Sequence, residues 1–203
     1  MTPVGDDPGA ARTVLTGTLR DGLRVVVRSL VPEDRADVEQ GFAELSERTK
    51  NLRFLAGKDH LSQRGLDTLV DDVDQHDHVA VALWWERTSQ PDVLVGEGRF
   101  IRLNDDPECA DVAVTVADEL QGQGGGTLMM RALVLRAREE GVHRFSAVMA
   151  PDNEPSHRLM LRAGTVLRDT IRDAEREVLV RIDDEVPASP ADEAAGPVDA
   201  PST

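Results

Sequence analysis

Tyrosine is absent from this sequence, aromatic residues make up only 3% of it, and Cys109 is its one cysteine. A single cysteine excludes an internal disulfide and is typical of a reducing compartment such as the cytoplasm. No apolar run approaches the length needed to cross a membrane, and residues 1–18 lack the basic start and apolar core of a signal peptide. These absences predict a cytoplasmic protein without a membrane partner, and they remove tyrosine from the candidate catalytic acids.

Basic residues are also scarce, since 38 acidic residues stand against 23 Lys and Arg in 203 residues and give a net charge of -15. Such a surface repels phosphate backbones and disfavours a nucleic-acid partner, although it suits a cationic amine. Residues 184–203 combine prolines, alanines and acids with no base, which predicts a disordered acidic tail. Residues 1–18, rich in Gly, Pro, Ala and Thr, predict a flexible N-terminal segment, which leaves 19–183 as the folded domain.

Apolar residues between the two ends alternate in some segments and recur at helical spacing in others. The order of elements is β, α, α, β, β, β, α, β, α, β. A three-stranded meander followed by one strand–helix–strand crossover indicates an α/β fold, with a mixed, mostly antiparallel sheet of six to seven strands and helices on both faces. The strands are predicted at 23–28, 79–85, 92–103, 110–116, 145–149 and 178–182, and the helices from 32, at 62–70, at 127–140 and at 155–163.

The run Gln121-Gly122-Gln123-Gly124-Gly125-Gly126 separates the strand ending at Val116 from the longest predicted helix. Glycines permit close backbone approach, and the first N–H groups of the helix attract an anion, so the loop is a candidate phosphate cradle. A flexible turn, a dinucleotide site and a coenzyme A site all remain compatible with glycines alone. The dinucleotide spacing fails because the sixth position from Gly122 is Thr127, and no Lys followed by Ser or Thr supports a Walker loop.

Two motifs carry a family resemblance. The spacing Gln121-x-x-Gly124-x-Gly126 resembles the Gln/Arg-x-x-Gly-x-Gly/Ala signature of GNAT acetyltransferases, and residues 153–164 resemble their second signature, in which an asparagine opens a short helix. This resemblance spans residues 19–182 and implies the GNAT fold, N-acetyltransferase activity and acetyl-CoA as cosubstrate. The coenzyme-binding residues that it implies are Val114, Val116, Gln121, Gly122, Gln123, Gly124, Gly125, Gly126, Thr127 and Asn153.

A narrower resemblance joins residues 45–54 and 110–116 to the GNAT domain of bacterial protein-lysine acetyltransferases. It implies that Asp111, where those enzymes have Glu, is the catalytic base, and that the backbone N–H near Val114 stabilises the oxyanion. Many GNAT enzymes have a tyrosine acid where this sequence has Met160. The implied reaction is direct attack by a primary amine in a ternary complex, with a protein lysine as the first choice of acceptor and a small amine as the second.

Several alternatives remain open. The departures at Asp111 and Met160 favour a non-catalytic module that binds acyl-CoA, and Asp111 could instead be solvated or paired with Arg102.

Of the adjacent Trp84 and Trp85, which point to opposite faces of a strand, one is expected in the core and the other is available for a substrate groove or a homodimer contact. Residues 74–78 (DQHDH) are of metal-binding types, but a polar run before a strand is typical of a solvated turn, so no metal site is predicted.

Overall fold

The computed structural model describes residues 11–54 and 61–183, apart from the side chain of Phe54. One sheet of eight strands crosses the described part of the chain. The strands are β1 (Thr13–Thr18), β2 (Arg24–Ser29), β3 (His78–Trp85), β4 (Val93–Arg102), β5 (Cys109–Val116), β6 (Arg144–Met149), β7 (Gly164–Arg172) and β8 (Glu175–Ile182). Their order is β1-β2-β3-β4-β5-β6-β8-β7, and every neighbouring pair is antiparallel except the parallel pair β5 and β6.

Helices cover both faces of this sheet. They are α1 (Arg35–Glu44), α2 (Glu47–Phe54), α3 (Gln63–Leu66, continued by a π-turn at Asp67–Asp71), α4 (Gly125–Glu139) and α5 (Glu154–Ala163). Alternation along β3 separates the two apolar cores, because Val79, Val81 and Leu83 pack under α4, while Ala80, Ala82 and Trp84 pack under α1 and α3. The predicted mixed sheet with helices on both faces is confirmed.

Helix α4 is the best-packed helix of the fold. Gly124 precedes it with a φ of 103° and Gly141 follows it with a φ of 73°, so glycine is favoured at both ends. Between them, buried residues occupy most sides of the helix, as the broad apolar pattern predicts. These residues are Gly125, Leu128, Met129, Met130, Ala132, Leu133, Val134, Arg136 and Ala137.

Two edge strands, β1 and β7, and one helix, α2, were not predicted from the sequence. The prediction of a flexible segment over 1–18 is wrong for residues 13–18, because β1 pairs with β2 and gains its hydrogen bonds from that partner. Strand β7 was missed because nearly all of its residues are exposed, so no buried alternating face marks it; a tight turn at Asp173 and Ala174, both with positive φ, joins it to β8. The remaining residues of the predicted flexible segment, 1–10, and the predicted acidic tail, 184–203, lie outside the described residues.

Gly164 links α5 to β7. It ends the helix, as predicted, and its extended backbone runs so close to β8 that an added Cβ would lie 1.9 Å from the carbonyl oxygen of Arg181. Only glycine fits this contact, which fixes where α5 leaves the sheet. Helix α5 therefore stays packed beside β6 and β8, next to the opening described below.

Candidate active site

A cleft opens through the sheet where β5 and β6 separate. The two strands pair over three positions, from Cys109 to Asp111 on β5 and from Arg144 to Ser146 on β6. Beyond these positions, residues 112–116 and 147–149 form opposite walls of a cleft of about 560 Å³. The loop before α4 and the start of α5 close the cleft on one face of the sheet, and α2 borders it on the other face.

The glycine run forms the end of the cleft at the start of α4. Gly122 and Gly124 have φ values of 77° and 103°, which turn the chain from β5 into the helix. The first N–H groups of a helix have no partner within it and carry the positive end of the helix dipole. Gly126 and Thr127 line the cleft at this point, so the helix N-terminus can hold a phosphate group.

Most of the residues predicted to bind the coenzyme lie on the wall of this one cleft. They are Val114, Val116, Gln121, Gly122, Gly124, Gly126, Thr127 and Asn153. Gln123 and Gly125 lie off it. The carbonyl of Gln123 accepts a hydrogen bond from the backbone of Arg20 at 3.0 Å, and Gly125 is buried where an added Cβ would lie 2.9 Å from Leu83 Cδ2. Gly125 therefore serves the packing of α4 against β3.

Asn153 and Met160 form the α5 side of the cleft. Asn153 is buried, and its side-chain oxygen accepts a hydrogen bond from the Ser156 N–H at 3.3 Å, which caps the helix. Met160, about two helical turns after Asn153, also lines the cleft and is only 2% exposed. A thioether cannot donate a proton, so this wall offers no side-chain acid where many GNAT enzymes have tyrosine.

Arginines are concentrated in the cleft although the whole chain is acidic. Arg20, Arg48, Arg53, Arg158 and Arg162 line it, against the acids Asp118 and Asp152. The cleft therefore favours a polyanionic ligand despite the net charge of -15. The sequence shows no sign of this grouping, because the five arginines come from a hairpin turn, α2 and α5, which meet only in the folded chain.

Arg20 fastens the turn between β1 and β2 to the glycine run. Its backbone N–H donates to the carbonyl of Gln123 at 3.0 Å, and its guanidinium donates to the carbonyl of Gly122 at 2.9 Å. Sequence analysis missed this residue because it assigned the surrounding segment no strand. The two bonds support the loop from outside and leave an arginine beside the helix N-terminus.

Asp111, the predicted base, stands where β5 and β6 begin to diverge. It is not among the residues that line the cleft; it lies at the closed end of the opening, with its carboxylate exposed on the α2 face of the sheet. The Ser146 hydroxyl donates a hydrogen bond to this carboxylate. The alternative pairing with Arg102 is not found, since Arg102 donates instead to Asp77 at 2.7 Å and to the carbonyls of Pro107 and Glu140.

A cluster of polar side chains, Glu97, Arg99 and His78, lies under α2, on the sheet face opposite α4. Glu97 accepts from Arg99 at 2.6 Å and lies 3.8 Å from Arg53 of α2. Arg99 also donates to the ring Nε2 of His78 at 2.9 Å, so the histidine accepts at that atom and is neutral. Burial and the Arg99 charge lower the pKa of His78 below its usual value. Beside this group lies a second cavity of about 160 Å³, which shares Arg53, Thr115 and Asp118 with the cleft.

Other sequence candidates fall into structural roles. Cys109 is buried, and burial raises the pKa of its thiol, which opposes a nucleophilic role. Trp84 joins the core under α1, and Trp85 packs partly against the core under α4. Within residues 11–54 and 61–183 there is no group of three or more His, Cys, Asp or Glu side chains arranged to hold a metal ion. In the same residues no helix is long and apolar enough to span a membrane.

Comparison with known proteins identifies relatives of this chain in sequence and in fold. A family model described as an acetyltransferase (GNAT) domain matches residues 24–166. The acetyltransferase Pat of Mycolicibacterium smegmatis is 31% identical over 173 residues, which are 85% of this chain and 50% of that protein. Acetyltransferase PA5475 of Pseudomonas aeruginosa is 33% identical over 149 residues, which are 73% of this chain and 78% of that protein.

The solved structures show the same fold. The GNAT domain of S. lividans PAT superposes with a TM-score of 0.73 at 24% identity, covering 83% of this chain and 96% of that chain. The chain spans about half the length of the mycobacterial Pat protein. The resemblance to the GNAT domain of bacterial protein-lysine acetyltransferases and the predicted α/β GNAT fold are confirmed, with eight strands in place of six to seven. The chain belongs to the GNAT acetyltransferase family.

Proposed function

We propose that this protein transfers an acetyl group from acetyl-CoA to a primary amine, by direct attack in a ternary complex. The observation that carries the proposal is the cleft through the sheet, which has the N-terminus of α4 at one end, while the exposed carboxylate of Asp111 lies just outside its lining at the other. The coenzyme's phosphates meet the first N–H groups of α4 and the arginines around them. The acetyl group then reaches the backbone of β5 near Val114, whose N–H stabilises the developing oxyanion.

Asp111 is the proton acceptor in this proposal. A lysine amine has a pKa of about 10.4, so at neutral pH it must lose a proton before its nitrogen can attack the thioester carbon. The carboxylate takes that proton directly or through one water, and Ser146 orients it. As the amide bond forms, the carbon–sulfur bond breaks and the thiolate of coenzyme A leaves. Met160 cannot protonate the thiolate, so water supplies that proton.

The open surroundings of Asp111 favour a protein lysine as the acceptor. Ile101 stands opposite Asp111 on β4 and is 43% exposed, and Val148 lies two residues beyond Ser146 on β6 and is 48% exposed. Small-molecule sites bury most of their ligand, whereas here one exposed carboxylate has exposed apolar residues around it. A lysine side chain presented by a folded partner can reach Asp111 while the partner covers both apolar residues.

The first experiment measures coenzyme binding and turnover separately. Calorimetry should detect acetyl-CoA binding, and release of free thiol in the presence of lysine peptides and acceptor proteins should detect transfer. Asp111→Asn should lower the rate by about 100-fold with little change in acetyl-CoA affinity, and Asp111→Glu should retain most of the rate. Binding without thiol release from any acceptor would support the non-catalytic acyl-CoA module instead. Absence of binding at millimolar acetyl-CoA would refute the coenzyme site itself.

A further inference from the structure

Helix α2 borders the cleft without belonging to either apolar core. None of its described side chains is part of the cluster under α4 or of the cluster under α1 and α3. Four of its residues, Arg48, Thr49, Leu52 and Arg53, nevertheless line the cleft. The position of this wall therefore depends on polar contacts, and Thr49, only 9% exposed, is at their centre.

Asp118, which lies 69 residues after Thr49 in the chain, holds the N-terminal end of α2. Its carboxylate accepts from the Ser46 N–H at 2.8 Å, from the Ser46 hydroxyl at 2.7 Å and from the Thr49 hydroxyl at 2.7 Å. Burial alone would raise the pKa of Asp118, but the hydrogen bonds from Ser46 and Thr49 hold the pKa below its usual value. At neutral pH the residue is a carboxylate that can accept from all three donors at once.

The same threonine hydroxyl also meets the glycine run. The side-chain amide of Gln121 donates to Thr49 Oγ1 at 3.2 Å and to the carbonyl of Val116 at 3.2 Å. A hydroxyl has one proton to donate and can accept as well, so Thr49 donates to Asp118 and accepts from Gln121. Asp118 and Gln121 lie just before and at the start of the run that forms the phosphate cradle. One hydroxyl thus joins both of them to α2.

We propose that Thr49 couples the coenzyme loop to α2, so that coenzyme bound at the loop fixes the acceptor side of the cleft. This inference rests on the proposed coenzyme site. Phosphate bound at the start of α4 restrains residues 118–127, and the hydrogen bonds of Thr49 pass that restraint to α2, where Arg48 and Arg53 lie. Thr49 and Asp118 act as positioning residues, and the coupling operates in both directions, because linkage between two binding sites is reciprocal.

Hydrogen exchange of the whole chain with and without acetyl-CoA tests this coupling and needs no acceptor. In the unaltered protein, acetyl-CoA should slow amide exchange about tenfold both at residues 122–128 and at residues 47–54. Thr49→Val keeps the shape of the side chain and removes the hydroxyl. In this variant the slowing should persist at residues 122–128 and be markedly reduced at residues 47–54, where only the two bonds from Ser46 to Asp118 remain. Thr49→Ser should restore it, because serine retains the hydroxyl.

The chain supplies a matched control for the loss of one threonine–aspartate bond. Thr165 donates to Asp183 at 2.7 Å, the same length as the Thr49 bond, and lies at the start of β7, where it does not line the cleft. Thr165→Val should leave the acetyl-CoA effect on residues 47–54 unchanged. Asp118→Asn provides a second route to the same loss if Thr49→Val does not fold, since the amide cannot accept from all three donors.

Each outcome has a definite meaning. If acetyl-CoA protects residues 47–54 equally in Thr49→Val and in the unaltered protein, direct contact between coenzyme and α2 is responsible and the coupling is wrong. If calorimetry detects no acetyl-CoA binding to the unaltered protein, the proposed coenzyme site fails first. Once an acceptor is known, Thr49→Val should raise the acceptor KM at saturating acetyl-CoA about tenfold, while acetyl-CoA affinity measured without acceptor changes less than twofold.

Discussion

Helices α4 and α2 border the same cleft from opposite faces of the sheet, but they are held by different forces. Helix α4 buries nine residues, and seven of them, Leu133 and Met129 among these, belong to the larger apolar core. Helix α2 is held at its start by Asp118 and near its end by the ion pair between Arg53 and Glu97. The side of the cleft proposed to bind the coenzyme is therefore held by apolar packing, and the side proposed to face the acceptor depends on a few hydrogen bonds and ion pairs.

This difference suits the two proposed tasks. A phosphate cradle must be preorganised, because every N–H group has to point at the ligand before it arrives. The wall that faces an acceptor can gain from being adjustable, since elements with few apolar contacts open locally at low free-energy cost. Substitutions in α4 should thus act on the stability of the whole domain, whereas substitutions in α2 should act on the cleft alone.

The largest effect is expected from a substitution that removes apolar packing from α4. Leu133→Ala in α4 should lower the free energy of unfolding by about 3 kcal/mol, because it empties space in a fully buried core. Leu52→Ala in α2 should cost less than about 1 kcal/mol, since Leu52 is half-buried and belongs to neither core. Urea denaturation of the two variants measures both values. Equal losses would show that α2 is anchored as firmly as α4.

The same contrast explains what the sequence could and could not predict about the fold. The apolar pattern of α4, the glycines at its ends and the alternation of β5 are local signals, and the structure follows them. Helix α2 was missed because its most important partner, Asp118, lies 69 residues from Thr49 along the chain. Strands β1 and β7 were missed because an edge strand gains its order from one neighbour and has no buried face of its own to mark it.

In the candidate site, too, some residues follow from local sequence patterns and others are brought together only by the fold. The loop from Gln121 to Gly126 and the capping residue Asn153 have spacings that a sequence displays. Arg20, Arg158 and Arg162 carry no such pattern, because only the tertiary fold brings them to one cleft. Asp111 was chosen by family resemblance, and its role stays a prediction. Its exposed position and its bond to Ser146 are features that no local sequence pattern contains.

The next largest effect is expected from the glycines at the two ends of α4. It tests whether the start of this helix binds the coenzyme. Gly124 and Gly141 both have positive φ, and an added Cβ would meet no atom within 4 Å at either position. Alanine at either site should therefore cost about 1–2 kcal/mol of stability through backbone strain alone. Only Gly124→Ala should also weaken acetyl-CoA binding, by about tenfold, as measured by calorimetry. A similar loss of binding in Gly141→Ala would assign the effect to general loosening of the helix.

Lowering the pH should have a smaller effect on stability, through His78 on the α2 face of the sheet. Because burial and Arg99 lower the pKa of His78, the unfolded chain binds more protons than the folded chain as the pH falls below about 6.5. Stability due to neutral His78 is thus complete above that pH and is lost as the pH falls toward the lowered pKa. His78→Gln keeps an acceptor for Arg99 without a titrating group, so its melting temperature should fall less than that of the unaltered protein between pH 7.5 and 5.5.

The control for this pH effect is another histidine. Glu140 raises the pKa of the exposed His76, so that residue adds stability at low pH and acts in the opposite direction. Comparing His78→Gln with the unaltered protein cancels this contribution, because His76 is present in both. Equal falls in melting temperature would show that protonation of His78 does not destabilise the folded protein, and hence that folding does not lower its pKa.

The smallest expected effect is at Lys50, the other buried polar residue of α2. Its ammonium lies 3.3 Å from Glu47 and 5.4 Å from the centre of the Phe42 ring, and neither contact reaches the cleft. Each contact of this kind contributes about 0.5 kcal/mol, and the ammonium loses hydration when it is buried. Lys50→Met should therefore change the free energy of unfolding by less than about 0.5 kcal/mol and leave acetyl-CoA affinity unchanged. A loss above about 1.5 kcal/mol in urea denaturation would mean that α2 is fixed by Lys50 as well, and that the hydrogen bonds of Thr49 are not its principal anchor.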